Sequence, residues 1–198
     1  MLREQTGRLV RFSADAAALA QAEETGAAID PDWVDADDLV AAVNASYADR
    51  YAAKNVALHA RTDDAGRLFA DRQRMAQILS NLIDNALQYT PPGGHVTVTA
   101  DREGPEMVFR VADDGEGVRA EHLPHLFERF YRADFARDRD HGGSGIGLAI
   151  VKALTEAHGG HVAAASPGPG QGCTFTVTVP INSLPAAREE HRIAVSNS

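Results

Sequence analysis

Residues 71–89 constrain the fold of this chain more than any other part of the sequence. Their apolar residues recur three and four positions apart, so a helix of this sequence has one continuous apolar side. That side consists of Met75, Ile78, Leu79, Leu82, Ile83 and Ala86. The run P-P-G-G at residues 91–94 ends the helix. The sequence therefore predicts one long helix here, with one side buried.

Weaker patterns predict the remaining elements. A thin, Ala-rich stripe predicts a marginal helix over residues 2–24, residues 29–35 are a connector, and residues 36–51 form an amphipathic helix buried through Leu39, Ala42, Val43 and Tyr47. Strands are predicted at residues 55–60 and 67–70 around the turn D-D-A-G, at 96–100 and 107–112, and in a hairpin at 161–165 and 174–179. A further helix covers residues 146–158. Hairpin-paired strands with interspersed helices indicate an α+β fold, a mixed sheet covered on one face by three helices.

Composition excludes several classes of function. With 19 basic against 28 acidic residues among 198, the net charge of −9 argues against broad binding to nucleic acid or anionic membranes. Cys173 is the one cysteine, so an intrachain disulfide is excluded. The sequence has no apolar run long enough to span a bilayer and no signal-peptide pattern at its start. We expect a cytoplasmic protein without direct membrane insertion.

The predicted long helix carries amide side chains along the border of its apolar side. At about 100° per residue, Asn81, Asn85 and Gln88 fall on one side of the helix. Amide oxygens are hard ligands that suit Mg²⁺, which takes few protein groups when it bridges phosphates. The alternative is that these side chains decorate an exposed helix surface. In combination with the motifs that follow, we favour a role in binding.

The loop D-D-G-E-G at residues 113–117 follows a predicted strand directly. An acid at a strand end, followed by two glycines, lets the backbone turn tightly and approach a flat ligand. A carboxylate can accept the exocyclic amine of adenine and so select adenine over guanine. An ordinary Asp-Gly turn is the alternative.

Two further motifs follow. In L-F-E-R-F-Y-R, residues 126–132, we assign Phe127 and Phe130 to the core, while Arg132 precedes a polar stretch typical of a mobile lid over a nucleotide. In G-G-S-G-I-G-L-A-I, residues 142–150, glycines precede an apolar helix, where backbone amides can surround phosphate oxygens. The spacing excludes a P-loop and a Rossmann fingerprint.

His122 and His125 lack the further ligands of a metal site, and for His158 a helix-capping role is sufficient.

These four motifs, in this order, resemble the ATP-binding catalytic domain of sensor histidine kinases, in the superfamily of DNA gyrase, mismatch-repair ATPases and the large heat-shock chaperone. The resemblance implies a Bergerat-type two-layer α/β sandwich that binds ATP and Mg²⁺. It assigns metal binding to Asn85, supported by Asn81; adenine recognition to Asp113 with Gly115 and Gly117; and catalysis to Asn85 and Arg132. The implied nucleotide contacts are Asn81, Asn85, Gln88, Tyr89, Asp113, Gly115, Gly117, Arg132, Gly143, Ser144, Gly145, Ile146, Gly147, Leu148 and Thr174. For Thr174, pairing within the sheet is an equal alternative. Gln88 departs from the family, which usually has Lys or Arg there.

The resemblance does not extend to a substrate histidine. Histidine kinases carry it in a pattern close to H-E-x-x-x-P on a helical hairpin, and none of the eight histidines here has that context. We expect residues 1–28 to be the end of a second hairpin helix, residues 29–181 the catalytic domain and residues 182–198 a polar, disordered tail. Among a split-kinase subunit, a pseudogene-like fragment and an artificially shortened chain, we favour the subunit.

The expected function is phosphoryl transfer from ATP to a histidine on a partner chain that bears this hairpin, with a response regulator as an indirect partner. Two alternatives remain open. One is a nucleotide-binding regulator without transfer activity, which Gln88 supports. The other is a stand-alone ATPase or a serine kinase of the anti-sigma type, against which the segment at residues 126–132 argues.

Overall fold

Three α-helices and seven strands occur in residues 29–132 and 145–182, the part of the chain that the computed structural model describes. In chain order they are β1 (Asp32–Asp35), α1 (Ala36–Lys54), β2 (Ala57–Thr62), β3 (Arg67–Ala70), α2 (Arg72–Tyr89), β4 (His95–Glu103), β5 (Glu106–Asp113), α3 (Gly147–Ala157), β6 (His161–Ala165) and β7 (Cys173–Pro180). A short 3₁₀ helix spans Ala120–His125. The helix predicted at residues 2–24 and the tail lie outside the described residues.

Five strands form one mixed sheet in the order β2-β4-β5-β7-β6. Strand β2 runs parallel to β4, and the other neighbours are antiparallel. The register aligns Val98 with Val111, Val111 with Phe175, and Phe175 with Ala164, so these side chains share one face of the sheet. The predicted mixed sheet is confirmed.

Helix α2 is the centre of the core between the sheet and its helical layer. Its predicted apolar side is confirmed, since Met75, Ile78, Leu79, Leu82 and Ile83 have no exposed surface. Full burial of each such side chain is worth about 1.5–3 kcal/mol. Helices α1 and α3 pack beside α2 and contact the same sheet. The two-layer α/β sandwich predicted from the sequence is therefore confirmed.

The start of α2 is fixed by Asp71. Its Oδ1 atom accepts hydrogen bonds from the amides of Gln73 (2.9 Å) and Arg74 (3.0 Å), which would otherwise lack partners in the first turn. Burial of the apolar side fixes the rotation of α2 against the sheet, and the amide residues of its second half therefore lie along the border of that side.

Strands β2 and β3 do not form a hairpin around D-D-A-G, contrary to the hairpin pairing predicted from the sequence. Strand β3 pairs with β1, which occupies the predicted connector, and β2 pairs with β4. The reason is that Ala65 is buried and the carbonyl of Gly66 accepts the amide of Ala36 over 3.0 Å, which holds the turn against the start of α1. Ala42 is exposed rather than buried, since the buried side of α1 continues through Val40 and Tyr51 instead.

Within the described part of the chain, none of the helices combines the length and the apolar character that crossing a bilayer requires.

Candidate functional site

Asp113 is the last residue of β5 and is half-buried. Its Oδ1 atom accepts hydrogen bonds from the amides of Gly115 (2.9 Å) and Cys173 (3.3 Å). Burial raises the pKa of the carboxyl group, and these two amides oppose that rise. Both bonds end on Oδ1, so Oδ2 is the oxygen that is left to accept a donor from a ligand.

The neighbouring acid, Asp114, points elsewhere. It is exposed and accepts hydrogen bonds at Oδ1 from the amide of His95 (2.7 Å), while Oδ2 lies 2.9 Å from Nδ1 of the same histidine. Asp114 thereby links the loop to the start of β4. Of the two consecutive acids, only Asp113 is half-buried and available at the end of the sheet.

The glycines of this loop are required by contacts within the protein. A Cβ atom at Gly115 would lie 2.4 Å from the carbonyl oxygen of Tyr89, and the amide of Glu116 donates to that same oxygen over 3.1 Å. Gly117 has a left-handed φ of 63°, and a Cβ there would lie 2.1 Å from the carbonyl oxygen of Gly168. From the sequence, both glycines were expected to allow close approach of a ligand. In the structure, the groups that approach them closely are the end of α2 and the loop before β7.

A second loop, the one before β7, contacts the loop that carries Asp113. The amides of Gly170 and Gly172 donate to the carbonyls of Glu116 (2.6 Å) and Gly115 (3.1 Å). A Cβ at Gly172 would lie 1.9 Å from the carbonyl oxygen of Asp113. The signal that identifies this loop is the spacing of glycines in G-P-G-Q-G, residues 168–172. This second loop holds the first in place.

The polar side chains of α2 separate into two groups. Asp84 faces α1, where it accepts a hydrogen bond from the hydroxyl of Tyr47 (2.9 Å) and pairs with Arg50 (2.6 Å). On the other border, Nδ2 of Asn81 and Nε2 of Gln88 are buried and have no hydrogen-bond partner among the described residues. A buried donor without a partner costs about 1–3 kcal/mol, so these two donors are available to a water molecule or a ligand at this border.

Asn81 lies beside the start of α3. A Cβ atom at Gly147, the first residue of α3, would lie 3.9 Å from Oδ1 of Asn81. Asn85 follows Asn81 by one turn and is also half-buried. Asn81 of the first motif and Gly147 of the fourth motif therefore lie next to each other.

The third and fourth motifs are joined at their backbone. The amide of Phe130 donates to the carbonyl of Gly145 over 2.9 Å, and both residues have left-handed backbone, with φ of 59° and 70°. Phe127 packs on the core, edge-on to Phe175, but Phe130 is 57% exposed. The core assignment of Phe130 was wrong, since the left-handed backbone at this residue is accompanied by an exposed side chain. Gly143 and Ser144 lie outside the described residues.

The other predicted contact residues surround this region. Arg132 and Tyr89 are half-buried, and Arg132 is the last residue described before residue 145. Ile146 is fully buried and precedes α3, in which Leu148 is half-buried. Thr174 pairs with Ala112 and Ala165 in the sheet. The sheet-pairing alternative for Thr174 therefore holds, and its contact with a ligand stays a prediction.

The three histidines noted in the sequence have protein partners. Nδ1 of His122 lies 2.7 Å from the hydroxyl of Tyr131, and Nδ1 of His125 lies 2.7 Å from Oε1 of Glu128. His158 is the C-cap residue of α3; its Nδ1–H group donates to the carbonyl of Leu154 (2.7 Å), and its Nε2 accepts the amide of Asp71 (3.1 Å). His158 thus joins the end of α3 to the start of α2.

A mixed sheet with an acid at a strand end, an amide-bearing helix and glycine loops defines a Bergerat-type ATP-binding domain. The comparison with protein families agrees: residues 70–183 match the family described as histidine kinase-, DNA gyrase B- and HSP90-like ATPase, and the chain belongs to that family.

The similar proteins include sensor kinases. The chain is 34% identical over 180 residues to the signal transduction histidine-protein kinase BaeS of Escherichia coli, covering 91% of this chain and 38% of BaeS. It is 46% identical over 127 residues to the sensor protein DivL of Caulobacter vibrioides, covering 64% of this chain and 16% of DivL. The crystal structure of full-length ShkA in complex with AMPPNP has a TM-score of 0.79 and 31% identity, covering 93% of this chain and 38% of ShkA. The chain thus spans less than two-fifths of the length of each of these relatives.

Proposed function

We propose that this chain binds ATP with Mg²⁺ and transfers the γ-phosphoryl group to a histidine of a partner chain, within a two-component signalling system. One observation carries the proposal. The half-buried Asp113 carboxylate lies at the C-terminal end of α2, where the side-chain amide of Gln88 has an unpartnered donor, and Asn81, whose amide donor is also unpartnered, lies beside Gly147 at the start of α3. A hydrogen-bond acceptor for the purine and hydrogen-bond donors for the phosphates are thereby arranged along one helix.

The purine end depends on Asp113. Because Oδ1 is held by two backbone amides, Oδ2 is oriented to accept the exocyclic amine of adenine. A purine with a carbonyl at that position brings a hydrogen-bond acceptor against the Asp113 carboxylate, which is also an acceptor, and is therefore bound more weakly. Tyr89 lies at the same end of α2 and is half-buried, which suits contact with a flat base.

The phosphate end depends on the start of α3. Gly147 lacks a side chain next to Asn81, so an oxygen atom of a ligand can approach the helix N-terminus. The partial positive charge of that N-terminus favours an anion. Arg132 and the glycines at residues 143–147 are the further phosphate contacts of this proposal.

The side-chain oxygens available along α2 suit a magnesium ion. Asp84, the acid of the same helix, is engaged with Tyr47 and Arg50, so Asn81 and Asn85 supply the oxygens at this border. Amide oxygens suit Mg²⁺, which keeps several waters and needs few protein ligands beside phosphates. When bound, the ion neutralises charge on the β- and γ-phosphates. Asn85 is the proposed metal ligand, with Asn81 beside it.

The transfer itself needs an acceptor from outside this sequence. A neutral imidazole nitrogen attacks the γ-phosphorus, the bond from that phosphorus to the β–γ bridging oxygen breaks, and ADP leaves. The chain's own contribution is to hold ATP in line for this attack. We further propose that the reaction takes place in the cytoplasm, where ATP is supplied, and that a response regulator then receives the phosphoryl group.

Labelled ATP tests this function. The chain is incubated with γ-labelled ATP, Mg²⁺ and separate helical-hairpin domains that carry a candidate histidine. Acid-labile label on a hairpin domain is expected, and it should disappear with Asp113→Asn but not with Asp114→Asn. Tight ATP binding without label on any partner would contradict transfer. Phosphate release without a partner, or acid-stable label, would support the ATPase or serine kinase instead.

Gln88 favours a second candidate, a nucleotide-binding regulator without transfer activity. A neutral amide cannot neutralise the charge that develops on a transferring phosphoryl group, and Nε2 of Gln88 has no partner in the described part of the chain. The variant Gln88→Lys separates the candidates, with the exposed Gln73→Lys on the same helix as a control. If the chain is a slow kinase, only Gln88→Lys raises the rate of transfer. If it is a regulator, neither variant produces label on a partner.

A further inference from the structure

The C-terminal end of α2 has a partner for each of its last four carbonyls. Helix ends leave these groups without partners inside the helix. The carbonyl of Ala86 accepts the amide (3.0 Å) and the hydroxyl (2.7 Å) of Thr90. The carbonyls of Leu87 and Gln88 accept Nζ of Lys54, and the carbonyl of Tyr89 accepts the amide of Glu116. Two groups from elsewhere in the chain, the ammonium group of Lys54 and the amide of Glu116, therefore bind the last carbonyls of this helix.

Lys54 is the last residue of α1, yet its ammonium group serves α2. Nζ lies 3.0 Å from the carbonyl oxygen of Gln88 and also donates to that of Leu87. A cation at this position offsets the partial negative charge of the helix C-terminus. Burial lowers the pKa of Lys54, and the carboxylate of Glu116 opposes that effect. Lys54 thus lies between the end of α2 and the loop that carries Asp113.

Lys54 and the amide of Glu116 donate hydrogen bonds to the carbonyls of consecutive residues. Lys54 fixes the carbonyls of residues 87 and 88, and the next carbonyl, that of Tyr89, receives the amide of Glu116. Gly115 approaches the same Tyr89 oxygen so closely that a Cβ atom would lie 2.4 Å from it. The loop therefore rests directly on the turn of α2 that Lys54 holds. A shift of that turn moves the loop, and Asp113 is the first residue of the loop.

We propose that Lys54 is a positioning residue for adenine recognition: by fixing the last turn of α2, it fixes the loop that orients the Asp113 carboxylate. This inference rests on the proposed function, in which Asp113 reads the base. Lys54 acts through backbone carbonyls and through the loop. Its effect should therefore appear as a loss of base selectivity.

The test separates this role from a contribution to stability alone. A variant that only destabilises the fold lowers the apparent affinity for all nucleotides by one factor, so the ratio between two nucleotides stays constant. ATP and inosine triphosphate differ in this respect, since inosine has a carbonyl in place of the exocyclic amine. The ratio of their dissociation constants therefore reports the orientation of Asp113.

Titration calorimetry of the full chain with Mg²⁺ gives this ratio for four proteins. They are the wild type, Lys54→Met, Lys54→Arg and Lys152→Met; Lys152 is the other lysine of the chain and is half-exposed on α3. Methionine keeps the aliphatic stem of Lys54 without its charge. We expect Lys54→Met to reduce the preference for ATP between about 3-fold and 30-fold. Lys152→Met should keep the wild-type ratio, and Lys54→Arg should restore most of it.

Each outcome decides the inference. A reduced ratio in Lys54→Met, together with rescue by arginine, supports it. A wild-type ratio in Lys54→Met overturns it and leaves the proposed function intact. A wild-type chain that does not prefer ATP overturns the role of Asp113 and this inference with it. If Lys54→Met does not fold, Lys54→Gln, which keeps one donor group, is measured by the same criterion.

Discussion

The Oδ1 atom of Asp113 accepts a hydrogen bond from the amide of Gly115 over 2.9 Å, so the acid that ends β5 is held by the loop that follows it. A second amide, that of Cys173, reaches the same oxygen from the start of β7. A loop and the start of a strand that are far apart in sequence thus determine the orientation of one carboxylate.

Replacing Asp113 by asparagine should weaken ATP binding severely without unfolding the domain. The two backbone amides require an acceptor, so the oxygen of the new side chain takes the place of Oδ1 and its NH₂ group faces the adenine amine. Loss of one charged hydrogen bond costs about 1.5–3 kcal/mol, or roughly 10-fold to 150-fold in affinity. Calorimetry with ATP and Mg²⁺ measures the effect. The matched control is Asp114→Asn, whose side chain faces His95; equal losses in both variants would remove the assignment of Asp113.

Replacing Asn85 by alanine should reduce magnesium-dependent binding of ATP more than magnesium-independent binding. The proposed role of Asn85 is to supply an oxygen to the ion, which a methyl group cannot do. ATP affinity is measured in Mg²⁺ and again in EDTA, for Asn85→Ala and for the control Asn44→Ala on α1. We expect a loss of about 10-fold or more with Mg²⁺, comparable to loss of one hydrogen bond to a charged group. Equal losses in both buffers would contradict a metal role.

Alanine should lower the stability of the domain much more at Gly115 than at Gly147. At Gly115 the new methyl group meets the Tyr89 carbonyl at 2.4 Å, whereas at Gly147 the nearest atom is Oδ1 of Asn81 at 3.9 Å. Neither glycine has a left-handed backbone, so the comparison isolates the contact. We expect Gly115→Ala to lower the free energy of unfolding by about 1–3 kcal/mol and Gly147→Ala to change it by no more than about 1 kcal/mol. Urea unfolding measures both, and equal stabilities would contradict the close contact.

At Gly147, alanine should instead affect binding. Its methyl group points at Asn81, where the proposed function has the phosphates. ATP affinity should therefore fall in Gly147→Ala although its stability is retained, and unchanged affinity would argue against phosphate binding at the start of α3.

Stability should fall on acidification because of His158. The imidazole accepts the amide of Asp71 at Nε2, which a protonated ring cannot do. Burial lowers the pKa of His158 in the folded state, while the bond to Leu154 and the charge of Asp71 oppose that effect. Because the unfolded state then binds more protons, the stability from this contact is complete above about pH 6.5, the unfolded value. It is lost as pH falls from there through the folded pKa.

Unfolding by urea at pH 8 and pH 5.5 tests this linkage. The wild type should lose about 1 kcal/mol or more between the two pH values through this group, the cost of one buried hydrogen bond. His158→Gln cannot titrate and should lose correspondingly less. The control is His161→Gln, at an exposed position of β6, which should behave as the wild type. An identical pH response in His158→Gln would exclude His158 as the source.

Local patterns were sufficient to predict most of the elements. The apolar side of α2 follows from a spacing of three and four residues, and alternation identifies β4 and β5. Which strands pair with each other was harder to predict. Strand β3 pairs with β1, more than 30 residues earlier, and nothing in four residues of either strand specifies a partner at that distance. The loop D-D-A-G therefore suggested a hairpin that buried Ala65 and the Gly66 carbonyl exclude.

Candidate site residues could be proposed from the sequence where a residue type has one evident chemical use. Asp113 at a strand end and the amides of α2 are such cases; their roles stay predictions, and the structure places Asn81 next to Gly147. The environment of Lys54 was not predictable, because a lysine at a helix end is usually solvated and its carbonyl partners, those of Leu87 and Gln88, lie 33 and 34 residues later in the chain. Phe130 was assigned wrongly because an aromatic residue in a motif suggests the core, whereas its left-handed backbone is visible only in three dimensions.

The hydrogen bond between Phe130 and Gly145 bears on how proteins of this kind diversify. It holds Phe130 and Gly145, the two residues that flank residues 131–144, next to each other. The entropy of closing such a loop grows only slowly with its length. Insertions and deletions between these two positions should therefore be tolerated by the rest of the domain.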